Sequence, residues 1–260
     1  MKLFIFLFFF PFLSFAETLS VALYVNHDDH LKLSRSYKLN WQLLKLAAES
    51  EGITLDAKED LWLRGLNFIK EKKLDALIGV YYSEERENFS YYSQPLTIDN
   101  LYLYSQKPHS LTLKDINKHQ DIVGVTTKSF AEQIAQEIGF TNIYHKSSSE
   151  KVFDLLIKGR LQYAIFTESL ANKHCNLPPP KKLKQNCIYP MKPPLMTKTI
   201  HTIYNKTPRV INIAKRLDSA IDKFIDEGKV KILFLSCGYS EKEYKSWLKV
   251  RGNWINKDNG

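Results

Sequence analysis

Cysteine is scarce. Cys175, Cys187 and Cys237 are the three in the chain, and none comes directly after Ser14-Phe15-Ala16, with its small residues Ser14 and Ala16, which argues against a lipid-anchored cysteine there. Long apolar runs are lacking too. The one at residues 3–13 falls well short of the roughly 20 residues a spanning helix needs, and no later segment is comparably apolar. There is no Ser/His/Asp order, no glycine-rich phosphate loop and no zinc-spaced cluster, which argues against the common hydrolase, nucleotide and zinc chemistries. His174 beside Cys175 has no second pair at ligand spacing, so neither a metal nor a cofactor is expected. Acidic residues are in the minority, 28 against 37 Lys and Arg, leaving a formal charge of +9. The lysines are scattered, with small clusters only at 70–73 and 180–184. A solvated basic surface, or a field favouring anionic solutes, fits this better than a nucleic-acid face.

What is present begins with Lys2, the apolar run 3–13 and the small residues Ser14 and Ala16. This is the pattern of an export signal, with a mature chain expected from about Glu17. In an oxidising compartment, Cys175 and Cys187 are placed to form a bridge across a proline-rich loop. Closing that loop would remove on the order of 3 kcal/mol of unfolded-state entropy. Cys237 is then expected to be a buried apolar thiol.

Periodicity predicts strands at 19–25, 53–57 and 74–80, alternating with helices at 39–51 and 61–72, a βαβαβ unit. Gly52 closes the first helix. After the break at Lys107-Pro108 and a short helix predicted at 111–119, a second unit follows. It has strands at 122–126, 142–145 and 163–166 and helices at 130–138 and 149–158, the last two closed by Gly139 and Gly159. Residues 175–194 read as a loop, 198–204 as extended, and 208–227 and 241–248 as closing helices. The expected fold is α/β with two lobes: residues 17–104 and 201–260 in one, 105–200 in the other. A cleft between them is the natural place for a small ligand.

Asp75-Ala-Leu-Ile-Gly79 reads as a buried strand, and Arg86 lies on a loop just past its carboxyl end, where ligands gather in α/β sheets. Its planar fork of donors suits a carboxylate.

Several stretches together resemble the family-3 extracellular solute-binding proteins, the amino-acid-binding branch of the type II periplasmic binding proteins. They are Trp62-Leu-Arg-Gly-Leu, Lys73-Leu-Asp-Ala-Leu-Ile-Gly, Ser83-Glu-Glu-Arg86, Phe89-Ser90, Tyr92-Ser-Gln-Pro95, Val123-Gly-Val-Thr-Thr-Lys-Ser129, Gly159-Arg-Leu and Ala164-Ile-Phe-Thr-Glu168. The resemblance implies a two-lobe fold and capture of a small polar, carboxylate-bearing solute in the periplasm. It also implies a membrane permease of an ABC importer as partner, a monomeric state and no catalysis. By the same resemblance Arg86 would clamp the ligand's α-carboxylate, Trp62 would stack on its side chain, and Ser129 would hold a carboxylate oxygen at a helix start.

Two departures stand out. Where the family carries an aspartate for the ligand's ammonium, this chain has Thr167, followed by Glu168: either Glu168 substitutes or the ligand lacks a free α-amine. The segment from Asp75 to Arg86 is one residue short, with Tyr81-Tyr82 where small residues are usual, so Tyr81 reshapes the pocket. Alternatives are a cleft enzyme resembling cyclohexadienyl dehydratases, with Glu168, Glu84, His27 or His30 as acid or base, and a sensory or scaffold member without transport. Intact mass before and after reduction should show a mature chain starting near Glu17 and a gain of two hydrogens for the 175–187 bridge. Free thiol at all three cysteines of exported protein would remove the bridge.

Overall fold

The computed structural model describes residues 17–108, 112–127, 129–175 and 187–258, with side chains as far as Trp254. The predicted export signal and the loop at 176–186 lie outside the described residues. In chain order the first unit is β1 (Glu17–Tyr24), a short helix α1 (His27–Leu33), α2 (Arg35–Ser50), β2 (Ile53–Asp60), α3 (Trp62–Lys70) and β3 (Ala76–Tyr81). A single helical turn α4 (Glu84–Glu87) and the short β4 (Ser90–Tyr92) lead into the long β5 (Thr97–Ser105). The second unit is β6 (Val123–Thr126), α5 (Phe130–Glu137), β7 (Ile143–Lys146), α6 (Ser149–Ile157) and β8 (Tyr163–Thr167). The chain then runs through α7 (Glu168–Cys175), β9 (Tyr189–Pro190), β10 (Met196–Asn205), α8 (Pro208–Asp226), α9 (Lys229–Ser236) and α10 (Glu241–Asp258).

Strand order explains the architecture. β1 pairs in parallel with β2 and β3, and β6 in parallel with β7 and β8, as βαβ crossovers require. β10 and β5 lie antiparallel between these two triads, giving one sheet in the order β2-β1-β3-β10-β5-β8-β6-β7. The apolar side chains divide accordingly. One group gathers β1, α2 and the closing helices around Leu19, Leu43, Phe234 and Trp247. Another gathers β6, α5 and β8 around Val123, Ile134 and Ile165. Ile98 belongs to the first and Leu101 to the second, so the change of core falls inside β5.

Most predicted elements are present, with informative differences. The helix expected at 111–119 is only a 3₁₀ turn, Leu113–Asp115. Asp115 accepts from the Thr112 N–H and Asp121 from the Asn117 N–H, local bonds that compete with helix formation. The loop expected to carry Arg86 is the helical turn α4. Helices α1, α7 and α9 were not anticipated. α1 follows Asn26 in the left-handed region (φ 61°) without a side-chain cap, and α9 follows Gly228 at φ 74°, so neither carries the usual N-cap signal. Cys175 and Cys187 are joined in a disulfide, and Cys237 is a free buried thiol.

α10 is held to the first core by Trp247, fully buried, whose Nε1 donates to the Pro95 carbonyl at 3.0 Å. Trp247→Ala removes that bond and leaves a cavity, and should cost about 3–5 kcal/mol in urea unfolding. A loss below about 1 kcal/mol, the size of one hydrogen bond alone, would mean that α10 does not dock as described.

Candidate functional site

The carboxyl ends of β3, β6 and β8 converge. Tyr81, Thr126 and Thr167, the last residues of those strands, line one cavity of about 140 Å³ with Ser129, Phe130 and, from the crossing strands, Asp99 and Lys198. A neighbouring cavity of about 270 Å³ shares Tyr81, Asp99 and Thr167 and adds Tyr24, His30, Tyr37, Gly79, Ser169 and Lys173. Gly79 has φ +75°, and a Cβ there would sit 3.2 Å from the Tyr24 hydroxyl. The missing side chain lets that hydroxyl donate to the Gly79 carbonyl at 2.8 Å.

Ser129 ends the turn after β6 and caps α5, its Oγ accepting from the Glu132 N–H at 3.3 Å. Tyr81 reaches across: its hydroxyl donates to Asp99 Oδ2 at 2.9 Å. Asp99 Oδ1 also accepts from the Ser169 N–H at the start of α7, at 3.4 Å. Burial pushes the Asp99 carboxyl up to about 6, against the lowering effect of the bonds from Ser169 and Tyr81. Burial and, after it, the Arg86 guanidinium push the Lys198 ammonium down to about 8. Lys198 Nζ lies 2.9 Å from the centre of the Phe130 ring, a cation–π placement, and forms no ion pair with any described residue.

The sequence-nominated residues are thus only partly brought together. Tyr81, Ser129 and Thr167 share the smaller cavity. Arg86 and Trp62 line neither. Arg86 Nη1 donates to the Tyr81 carbonyl at 3.0 Å, and its guanidinium stands 5.7 Å from the Trp62 ring, which in turn packs edge-on against Tyr24. Glu168 is turned elsewhere. Its carboxylate lies 2.7 Å from Arg35, which also holds Glu243 at 2.6 Å, donates to the Gly238 carbonyl at 3.0 Å and packs over the Tyr239 ring. Ser36 and Ser169 hydroxyls meet beside this group at 2.8 Å.

Of the acid–base alternatives, Glu84 is exposed on α4. His27 is bound through Nδ1 to the Tyr37 hydroxyl, and burial lowers the pKa of both His27 and His30. Sequence reasoning missed Asp99 and Lys198. Their one signal was a single acid in β5 and a single lysine in β10, which become direct antiparallel partners only once the two strands pair.

Solved structures match this arrangement over most of the chain. The probable amino-acid ABC transporter extracellular-binding protein ytmK from Bacillus subtilis superposes with TM-score 0.68 at 15% identity, covering 86% of this chain and 98% of that one. The fold is that of the type II periplasmic binding proteins. The GluR0 ligand-binding core from Nostoc punctiforme, in complex with L-glutamate, shares this fold with TM-score 0.61 at 16% identity, covering 85% of this chain and 100% of that one. So does the ancestral amino acid-binding protein AncCDT-1, a precursor of cyclohexadienyl dehydratase, with TM-score 0.61 at 16% identity over 84% and 94% of the two chains. No family model matches the sequence, and no curated protein does.

Asp99 carries a linkage consequence. Its folded pKa is raised, so the protonated form is favoured in the folded state and the cost of ionising it grows as pH rises from about 4 to about 6. Asp99→Asn should therefore be near neutral at pH 4 and stabilise the unliganded protein at pH 8 by on the order of 2 kcal/mol. Urea unfolding at the two pH values checks this. An equal effect at both would mean that the carboxylate is not under strain in the folded state.

Proposed function

We propose that the protein is an exported solute-binding protein that captures a small polar, carboxylate-bearing solute, an amino acid or a close relative, for an ABC-type importer. The observation that carries the reading is the meeting of three strand ends around cavities lined by Lys198 and Lys173, with Arg86 held beside them on the Tyr81 carbonyl, none of the three having a carboxylate partner among the described residues. A ligand carboxylate supplies the missing negative charge, and Arg86 is the group with the bidentate geometry for it. Such a ligand would draw the guanidinium off the Tyr81 carbonyl. The fold neighbours favour the same role, since several are amino-acid-binding proteins of ABC transporters.

In this reading residues 17–104 with 201–260 form one lobe and 105–200 the other. β5 and β10 act as the hinge, and closure over the solute presents the monomer to a membrane permease in the periplasm. Trp62 stacks beside the clamp, and Ser129 offers its hydroxyl and the free N–H groups at the start of α5. The segment at 1–16 directs export.

One observation favours a second reading, chemistry in the same cleft. Asp99 and Lys198 have pKa values pushed toward neutrality from opposite sides, the pattern of a proton-transferring pair. A cyclohexadienyl acid that stabilises the protein but is recovered unchanged would leave capture as the sole activity. Recovery of a dehydrated product would establish the enzyme.

The test of capture is a thermal-shift screen of amino acids and small carboxylates, in which a ligand at 100 times its Kd should add about 2.7 kcal/mol. Arg86→Ala should then weaken the best hit by about 2–5 kcal/mol in calorimetry. Binding as tight as in the parent would remove Arg86 from the site.

A further inference from the structure

The charges of the cleft do not balance in the unliganded protein. Lys198 stands half-buried in a largely apolar cavity, with its ammonium over the Phe130 ring and no ion pair among the described residues. Its direct cross-strand partner is Asp99. That carboxylate, on a residue 4% exposed, is already engaged by the Tyr81 hydroxyl and the Ser169 N–H. Charges removed from water are costly unless paired, so Lys198 lacks an anion, as does Arg86 beside the cavities, while the Asp99 carboxylate has room for a donor; Lys173 adds a further cation to the wall of the neighbouring cavity. Tyr81 joins them, since its carbonyl accepts from Arg86 and its hydroxyl donates to Asp99.

Resting on the capture reading above, we infer that Lys198 and Asp99 form a second, charged subsite on the two crossing strands, and that the solute is an acidic amino acid. Arg86 takes the α-carboxylate, Asp99 the ammonium and Lys198 the distal carboxylate. The assignment also resolves the departure at Thr167. That threonine cannot balance an ammonium, and Glu168 is committed to Arg35. Asp99 shares the cavity wall with Thr167 and brings the negative charge from the neighbouring strand. Lys198 sits where Ser129 and the first turn of α5 already favour an anion, so the distal carboxylate meets donors from both sides.

The experiment is calorimetry on the full mature chain with three probes of similar shape: L-glutamate, L-glutamine and glutarate. Glutamine removes the distal charge alone, and glutarate removes the ammonium alone. The parent should bind glutamate at least about tenfold more tightly than either, tenfold being 1.4 kcal/mol. Lys198→Met should erase the preference over glutamine and Lys198→Arg should keep it. Asp99→Asn should weaken glutamate while sparing glutarate. Glutamine bound as tightly as glutamate by the parent, a comparison that needs no variant, overturns the inference and leaves capture standing. Failure of every probe and of the wider amino-acid and carboxylate screen overturns both.

Discussion

Everything in this molecule hangs on the antiparallel pairing of β5 with β10. Each βαβαβ unit makes a parallel triad with its own apolar side chains, and in this sheet the two triads are not paired directly but have to be joined. The two long strands solve this by running side by side, Met196 opposite Leu101 through Ile200 opposite Thr97. Because the core changes between Ile98 and Leu101, the segment joining the two apolar groups also lines the cavities. Asp99 and Lys198 are therefore at once the middle of the crossing and part of the candidate site.

That coincidence explains what the sequence disclosed and what it did not. Gly52, Gly139 and Gly159 end helices at positive φ, and the alternation of apolar strands and amphipathic helices made both units readable. The closing segment read as one helix to 227 and another from 241, and α9 fills the gap because Gly228 turns the chain without a capping side chain. Helix α7 escaped notice for another reason: Glu-Ser-Leu-Ala-Asn-Lys-His-Cys has only a weak apolar stripe, and its helix is favoured by docking on β5 and β8.

The site was legible where local order sets it and hidden where pairing sets it. Ser129 and Thr167 stand at the ends of strands whose positions follow from their own patterns, and both reach the cavity. Tyr81 is there too, as the run Tyr81-Tyr82 hinted. Glu168 looked equivalent to Thr167 by adjacency, yet it opens α7 and faces Arg35 on the far side. Asp99 and Lys198 are separated by nearly a hundred positions, and no spacing rule links them. Only the register of two strands does.

The ring of contacts at Arg35 bears on time as well as on shape. Arg35 opens α2 in the first βαβαβ unit, while Glu168 and Ser169 open α7 directly after the last strand of the second, and the Ser36 to Ser169 bond accompanies the ion pair. In the capture reading proposed above, a parting of the two units that lets a solute leave would also have to break both bonds on this flank. The residence time of a bound molecule would then depend partly on the Arg35–Glu168 pair, which lines neither cavity. Affinity differences between related complexes reside mostly in dissociation, so in that reading this flank is a place where evolution could retune retention without altering which solute is chosen.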